Sequence, residues 1–263
     1  MDTCSETNEE VRPETLMPLL KVDQLSKHFY KLVALSRVDF EIEKGEIVGL
    51  IGPNGSGKTT FFNCITHIYP PTDGHVLFKG KSMKGLRPDQ ISRMGIGRTF
   101  QLIQLFLEMT VLENMLMAVQ EHRGNLLSRL FQRDEAEERK RALETLAFLN
   151  MAHLKDEVAG NLSYGQQKLL DFGMVLMPGP ELVLLDEPTG GVEVEMRLKI
   201  TDYIRKLNRE GQTFVVIEHN MDVVMNLCER IVVLNYGEKI AEGTPEVIQS
   251  DQKVIDAYFG VQE

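Results

Sequence analysis

The spacing of hydrophobic and polar residues changes along the chain, and each change predicts a different element. Residues 17–45 have a strand-like pattern, in which Val38, Phe40 and Ile42 alternate with polar residues as in a half-buried antiparallel strand. The run 47–51 is apolar throughout, which is typical of a parallel strand buried on both faces. An antiparallel β unit is therefore predicted ahead of the first strand of a parallel sheet.

The middle of the chain has mainly helical patterns. A helix is predicted over residues 57–68, and the turn-rich stretch after it contains a short strand at 76–79. Thr110 and Glu113 have the spacing of a helix capping box. Helical patterns continue from there, so a helical insert is predicted from about residue 102 to residue 176.

Strand patterns return in the last third of the chain, at residues 182–185, 213–217 and 231–234. A helical stretch at 194–208 separates the first two of these strands. This is the βαβ order of a parallel sheet. The predicted fold class is α/β, with a parallel-sheet core, an N-terminal antiparallel β subdomain and a helical insert.

Composition and charge restrict the class of protein. Hydrophobic residues make up 43% of the chain and charged residues 26%, as in globular domains. Residues 1–16 are polar and acidic, which predicts a flexible tail ahead of one domain spanning 17–263. The chain has 29 basic and 39 acidic residues and a net charge of -10. That net charge argues against a protein whose whole surface binds nucleic acid, but it is compatible with a local basic groove.

The longest apolar runs are far shorter than the roughly 18 residues that span a bilayer, and the polar N-terminus does not resemble a secretory signal. Cys4, Cys64 and Cys228 lie far apart in the chain, which favours free thiols in a reducing compartment. We therefore expect a soluble cytoplasmic protein.

A glycine-rich segment follows the first apolar strand. Residues 52–59, GPNGSGKT, match the pattern GxxxxGK[ST] between a predicted strand and a predicted helix. Such a loop directs backbone N–H groups at phosphate oxygens, and the helix N-terminus adds a partial positive charge. Lys58 would contact the β- and γ-phosphates, and the Thr59 hydroxyl would ligate Mg²⁺. A plain glycine-rich turn is the alternative, but the strand and helix around it favour a nucleotide site.

Two carboxylates follow the apolar strand 182–185, at Asp186 and Glu187. Ligands bind at the carboxyl ends of the strands in open α/β sheets, where Asp186 could hold Mg²⁺. Glu187 could polarise the water that attacks the γ-phosphate. An acidic pair after a strand is more often a turn or a helix cap, and the phosphate loop reverses that preference.

A third motif, LSYGQ at 162–166, ends 20 residues before Asp186, and by itself Ser163 could simply be a helix cap. The three motifs in this order and spacing resemble those of the ATP-binding subunits of ABC transporters, over roughly residues 19–260. The resemblance implies a P-loop NTPase core of the RecA-like type and ATP hydrolysis coupled to transport.

The resemblance also assigns roles to matching positions. It implies that catalysis depends on Lys58, Gln101, Glu187 and His219, and that Mg²⁺ is held by Thr59, Gln101 and Asp186. It implies that ATP is bound by Phe29, by the loop residues Gly52, Pro53, Asn54, Gly55, Ser56, Gly57, Lys58, Thr59 and Thr60, and by the signature residues Ser163, Tyr164, Gly165 and Gln166. At the adenine-stacking position Tyr30 is the rival of Phe29, and core packing of Phe29 is a further alternative.

The resemblance implies partners as well. In the family, the signature of one subunit closes on the ATP held by the other, so we expect a head-to-tail dimer, either a homodimer or a heterodimer. Integral membrane permease subunits would perform the transport, and a periplasmic or surface substrate-binding protein would deliver the substrate. The chain would then lie at the cytoplasmic face of the plasma (inner) membrane. No nucleic-acid partner is expected.

Several segments resemble one branch of the family, the larger ATP-binding subunit of the branched-chain amino acid importers. They include Arg98-Thr-Phe-Gln101 and the C-terminal segments 243–246 and 254–260. Urea importers and the lipopolysaccharide-export ATPase share much of this pattern and remain alternatives. An ABC ATPase outside transport is a further alternative, as is a regulatory subunit with low turnover.

The chain departs from the family at a few positions. After Pro188 it reads Thr-Gly-Gly-Val and then Glu193, where the family has Asp or Asn. His67 stands where glycine is usual, and Met174 where arginine is common. None of these changes removes a catalytic group, but the altered segment around Glu193 could lower activity.

Overall fold

Two β-sheets and the helices packed against them form the structure, a computed structural model that describes residues 17–119 and 133–259. The predicted tail 1–16 lies outside the described residues. In chain order the strands are β1 (Leu20–Phe29), β2 (Leu32–Ile42), β3 (Ile47–Ile51), β4 (Asp73–Phe78), β5 (Lys81–Ser82), β6 (Ile96–Arg98), β7 (Leu182–Asp186), β8 (Thr213–Ile217), β9 (Arg230–Asn235) and β10 (Glu238–Gly243).

The helices of the described residues connect these strands. They are α1 (Lys58–Ile65), α2 (Pro88–Arg93), α3 (Val111–Met117), α4 (Arg133–Phe148), α5 (Tyr164–Leu176), α6 (Val194–Arg209), α7 (Met221–Leu227), α8 (Pro245–Ser250) and α9 (Gln252–Phe259). Two 3-10 turns, Ala152–Leu154 and Ala159–Asn161, precede α5. Within the described parts of the chain, no helix has both the length and the hydrophobicity needed to cross a membrane.

The larger sheet has the strand order β10-β9-β3-β8-β7-β6. Strands β9, β3, β8, β7 and β6 run parallel, and β10 pairs with β9 in the antiparallel sense. The smaller sheet is antiparallel, in the order β2-β1-β4-β5. The predicted fold class, a parallel core with an antiparallel N-terminal unit, is confirmed.

Each face of the larger sheet is covered by a different layer. Along β3, Val48 and Leu50 belong to the cluster shared with α1 and the antiparallel sheet, and Ile47 and Ile51 belong to the cluster shared with helices α3 to α7. Side chains alternate between the faces of a strand, so an all-apolar strand needs both layers. This explains why the predicted strand at 47–51 is apolar at every position.

Helix ends follow local chemistry. The capping box predicted at Thr110 is confirmed, because the Glu113 N–H donates to Thr110 Oγ1 at 3.2 Å and the Thr110 N–H donates to Glu113 Oε2 at 2.7 Å. The helix predicted over 57–68 is shorter, from 58 to 65. The Thr66 hydroxyl donates to a carbonyl of the last turn, and His67 has a φ of +53°, which ends the helix.

Candidate functional site

The predicted phosphate loop connects β3 to α1, at the carboxyl end of a central strand. Its glycines Gly52, Gly55 and Gly57 have φ angles of +152°, +80° and +105°, which other residues rarely adopt. A Cβ at Gly52 would lie 2.1 Å from the carbonyl oxygen of Leu234, and one at Gly57 would lie 2.7 Å from that of Ala34. The loop therefore requires glycine for two independent reasons.

The loop is held from two strands that are distant in sequence. The Gly237 N–H, in the turn between β9 and β10, donates to the Ser56 carbonyl at 3.0 Å. The Gly237 carbonyl in turn accepts from the Ser36 N–H of β2 at 2.8 Å. Asn54 and Thr59 are exposed, so the outer side of the loop is open to a ligand.

Lys58 is buried at the start of α1 and its ammonium group lies inside the loop. Its Nζ donates to the carbonyl oxygens of Gly52 at 2.8 Å and of Pro53 at 3.0 Å. Burial lowers the pKa of Lys58, and the carboxylates of Glu187 and Asp186 oppose that shift. The lysine predicted to contact phosphate is thus close to both acids predicted at the end of β7.

Asp186 ends β7 with its side chain 2% exposed. Its Oδ2 lies 3.3 Å from Nη2 of Arg98, and its N–H donates to Thr99 Oγ1 at 3.0 Å. Burial raises the pKa of Asp186, and the neighbouring guanidinium opposes that rise. Burial likewise lowers the pKa of Arg98. The two groups form a buried ion pair at the edge of the candidate nucleotide site.

Glu187, Gln101 and His219, separated by up to 118 positions in the chain, meet at one carboxylate. Glu187 Oε1 lies 3.0 Å from Nε2 of His219 and accepts from Nε2 of Gln101 at 3.4 Å. The Glu187 backbone is unusual, with a φ of +52°. The structure therefore brings together the three side chains that the sequence assigned to the reacting end of the nucleotide.

Two residues that sequence reasoning did not single out also contact this segment. Lys168 Nζ donates to the Glu187 carbonyl at 2.8 Å. The buried Glu218 accepts from both the N–H and the hydroxyl of Thr189, each at 2.7 Å. Glu218 could have been found from its place beside His219 at the end of β8. No local signal distinguishes Lys168 from a surface lysine.

The signature residues cap helix α5. Ser163 Oγ accepts from the Gln166 N–H at 3.3 Å, and the Ser163 N–H donates to Gln166 Oε1 at 2.9 Å. The capping role that competed with the functional one is therefore real. Tyr164 is 48% exposed and lies over Gly191, where a Cβ would come within 3.1 Å of its ring. Gly165 faces Met196 of α6.

Two aromatic residues, Phe29 and Tyr30, lie at the position predicted to stack on adenine. Phe29 packs edge to face on Tyr69 with the ring centroids 5.2 Å apart, and Lys27 Nζ lies 5.0 Å from its ring centroid. Tyr30 is fully exposed in the β1–β2 turn, with a φ of +54°. Phe29 is thus half-buried in a small aromatic group, and Tyr30 is the freer of the two rings.

Comparison with known proteins agrees with this geometry. The sequence profile of the ABC transporter family matches residues 35–190, and that of branched-chain amino acid ATP-binding cassette transporters matches residues 238–263. The chain belongs to the ABC transporter ATP-binding family. As an ABC ATPase, it is an enzyme that binds and hydrolyses ATP.

Relatives of this ABC ATPase are similar over nearly their whole length. The high-affinity branched-chain amino acid transport ATP-binding protein LivG of Escherichia coli K12 is 41% identical over 92% of this chain and 98% of its own. BraF of Pseudomonas aeruginosa, with the same description, is 40% identical over 92% of this chain and 98% of its own. A probable LivG of Archaeoglobus fulgidus is 40% identical over 94% and 97%.

Solved structures of ATP-binding cassettes are similar as well. A nucleotide-free cassette from an ABC transporter has a TM-score of 0.83 at 36% identity, covering 93% of this chain and all of its own. A cassette in its ADP conformation gives the same score and identity, over 93% and 99%. A dimeric cassette in a post-hydrolysis state, bound to ADP and Pi, has a TM-score of 0.74 at 30% identity, over 86% and 98%.

The departures of this ABC ATPase from the family pattern have local structural correlates. His67 occupies a left-handed position that favours glycine, and its Nδ1 lies 2.9 Å from the Leu86 carbonyl oxygen. Glu193 is the cap residue of α6, but its side chain makes no capping hydrogen bond in the described structure, unlike Ser163 at α5. The departure at His67 is therefore compensated by a contact, and the departure at Glu193 is not.

Proposed function

We propose that this ABC ATPase powers the import of branched-chain amino acids through separate permease subunits. The convergence of Gln101 and His219 on the carboxylate of Glu187 supports the catalytic part of the proposal. The profile match at residues 238–263 and the relatives described above support the choice of substrate.

In this proposal, each side chain near the γ-phosphate has its own task. Glu187 orients the attacking water and accepts its proton, because its carboxylate is only partly buried and lies against both His219 and Gln101. His219 donates to the γ-phosphate, and Gln101 aligns the water. Lys58 exchanges the loop carbonyls for phosphate oxygens, which are better partners for an ammonium group.

The donor set near the loop fits Mg²⁺. Thr59 is exposed at the first turn of α1, Asp186 is a carboxylate at the end of β7, which β8 separates from β3, and Gln101 supplies an amide oxygen. These are hard oxygen ligands, and Mg²⁺ is commonly held by one or two protein oxygens together with substrate phosphates. In the described part of the chain no cluster of His, Cys, Asp and Glu forms a metal site without the nucleotide. The ion would neutralise charge on the β- and γ-phosphates.

The proposed active form is a head-to-tail dimer, a homodimer or a heterodimer, in which Ser163, Tyr164, Gly165 and Gln166 act on the nucleotide of the partner subunit. The hydrogen bonds of Ser163 run within its own signature, so its remaining hydroxyl proton is free for a phosphate across the interface. Permease subunits would bring the dimer to the cytoplasmic face of the membrane, and a substrate-binding protein would present the amino acid.

Replacing Glu187 by Gln tests the proposal. In the full chain assembled with its permease subunits in proteoliposomes, we expect ATP turnover to fall at least a hundredfold while nucleotide affinity changes little. Lys206→Met, which removes an exposed i,i+4 ion pair, is the control and should leave turnover unchanged. Unchanged turnover in the Glu187 variant would refute the base assignment. ATP-dependent uptake of urea, with none of leucine, isoleucine or valine, would refute the substrate.

A further inference from the structure

Lys168 is the fifth residue of α5, five positions after the signature serine, and its side chain points into the protein. It is 7% exposed, whereas lysines are almost never buried without a partner. Its Nζ donates to the backbone carbonyl of Glu187 at 2.8 Å. A residue of the signature helix is therefore bonded directly to the peptide of the residue proposed as general base.

The Glu187 peptide needs such support because its backbone is strained. A φ of +52° is unfavourable for a residue with a Cβ, and it persists only where surrounding contacts impose it. The Glu187 N–H donates to the Ile217 carbonyl at 2.9 Å, and the Glu187 carbonyl accepts from Gly190 N–H at 3.1 Å. Lys168 supplies the second donor to that carbonyl, so both of its lone pairs are used.

The same ammonium group also faces the signature. Lys168 Nζ lies 6.0 Å from the ring centroid of Tyr164, which packs on Gly191 in the segment after Glu187. Gly191 has a φ of +74°, so that position is restricted both by its backbone and by the ring above it. Signature and catalytic segment therefore meet around one lysine side chain.

Nearby carboxylates stabilise the ammonium form of Lys168 against the effect of burial. Burial lowers its pKa, but four carboxylates oppose the shift: Asp171, Glu218, Glu187 and Asp186. Asp171, one turn further along α5, accepts from the backbone N–H of Gln104 at 3.3 Å. A charged donor makes a stronger hydrogen bond to the Glu187 carbonyl than a neutral one would.

We propose that Lys168 is a positioning residue, which holds the strained Glu187 peptide and fixes the carboxylate relative to the signature helix. The inference rests on the proposed role of Glu187 as general base. Lys168 itself contacts neither nucleotide nor water in this scheme. Its loss would let the Glu187 backbone relax, and displacement of a catalytic group by about 1 Å costs up to a hundredfold in rate.

The test compares Lys168→Met and Lys168→Arg in the full chain assembled with its permease subunits. Methionine keeps the length and the apolar stem and removes the donor, whereas arginine keeps a cationic donor. We expect kcat for ATP to fall by about tenfold to a hundredfold in Lys168→Met. We also expect KM and the Kd of ATP without Mg²⁺ to stay within about threefold, since the contact lies outside the phosphate loop. Lys168→Arg should restore most of kcat, which a purely structural loss would not explain.

A double-mutant cycle separates this inference from the proposed function. If Lys168 acts through Glu187, adding Lys168→Met to Glu187→Gln should lower turnover by less than about twofold further, because the effects of residues that act together are not additive. A full additional loss in the double variant would overturn the inference and leave the role of Glu187 intact. An unaffected Glu187→Gln enzyme would instead remove the proposed base.

Folding is controlled with a second variant and an exposed lysine. If Lys168→Met does not fold, Lys168→Gln takes its place, since it keeps a polar group in the buried position. Its amide is too short to reach the Glu187 carbonyl, so it should show the same loss of kcat. Lys206→Met should match the wild type in every measurement, because its ion pair with Asp202 is exposed. Wild-type kcat in a folded Lys168→Met or Lys168→Gln variant would overturn the inference.

Discussion

Replacing Arg98 tests how much its buried ion pair with Asp186 stabilises the protein. The side chains of Arg98 and Asp186 are only 5% and 2% exposed, with 3.3 Å between Nη2 and Oδ2. Arg98 also donates from Nη1 to Asn63 Oδ1 at 2.7 Å and to Thr66 Oγ1 at 3.1 Å. Arg98→Met removes the charge and these donors but still fills the space beside the neighbouring Phe62 ring.

The expected cost follows from burial. Two unit charges 3.3 Å apart attract by about 5 kcal/mol at an effective dielectric constant of about 20. Breaking a buried pair by removing one partner costs about 3–5 kcal/mol, because the remaining charge keeps its desolvation penalty. With about 2–4 °C per kcal/mol for a domain of this size, Arg98→Met should lower Tm by about 6–20 °C.

The dependence on pH identifies the cause of the loss. Burial already raises the pKa of Asp186, and removing Arg98 takes away the group that opposes this rise. A carboxyl with a raised folded-state pKa favours the folded state at low pH, and this contribution is lost as pH rises through that pKa. The Tm difference between variant and wild type should therefore be largest near pH 7 and should shrink towards about pH 5.

The assay is calorimetry of the nucleotide-free chain at both pH values. Arg93→Met is the matched control, because Arg93 forms an i,i+4 pair with Asp89 at 2.6 Å with its side chain 62% exposed. Such exposed pairs contribute less than about 1 kcal/mol, so its Tm should fall by no more than about 4 °C. An Arg98 variant that loses no more than this control, or loses equally at both pH values, would contradict the reasoning from burial.

Three further experiments, with five variants in all, test local features of the site. His67→Ala should lower the free energy of unfolding by about 1 kcal/mol, because the hydrogen bond is lost. His67→Gly should stay within about 0.5 kcal/mol of wild type, because glycine relieves the left-handed strain. Comparing the Tm values of the two variants with wild type checks both expectations. Gly52→Ala should abolish ATP binding, measured by fluorescence titration, because the added Cβ would meet a backbone carbonyl. Gly55→Ala should weaken ATP binding by less than about tenfold, because the added Cβ would meet open space. Ser163→Asp should keep the helix cap and a Tm within about 4 °C of wild type, yet lower ATP turnover at least tenfold by repelling phosphate.

Sequence patterns predicted the buried parts of the sheet well and its edges poorly. The apolar runs at 47–51 and 182–185 are clear in the sequence because both faces of these strands are covered. Strands β6 and β10 were not predicted. Each lies at an edge, where β6 has only three residues and β10 contains no buried residue, so neither carries a continuous apolar signal.

The same limit applies to the site. Glu187, His219 and Gln101 were found through motifs, which mark positions at strand ends. Lys168 and Arg98 were missed as functional residues because their importance depends on partners 19 and 88 positions away. Lysine and arginine are mostly exposed residues, and nothing in their immediate neighbourhood indicates that these two are buried.

The capping of α5 by Ser163 does not compete with the phosphate contact proposed for the same residue. A helix cap uses one lone pair of the Ser163 hydroxyl, to accept from the Gln166 N–H. The hydroxyl still has its own proton and a second lone pair, which the cap does not use. Asp and Asn cap a helix as well as Ser, but a carboxylate offers no proton and repels phosphate. Capping therefore fixes the direction of the Ser163 side chain. Because the capping group is a hydroxyl, it keeps a donor for an anion at the helix N-terminus, where the helix dipole also favours negative charge.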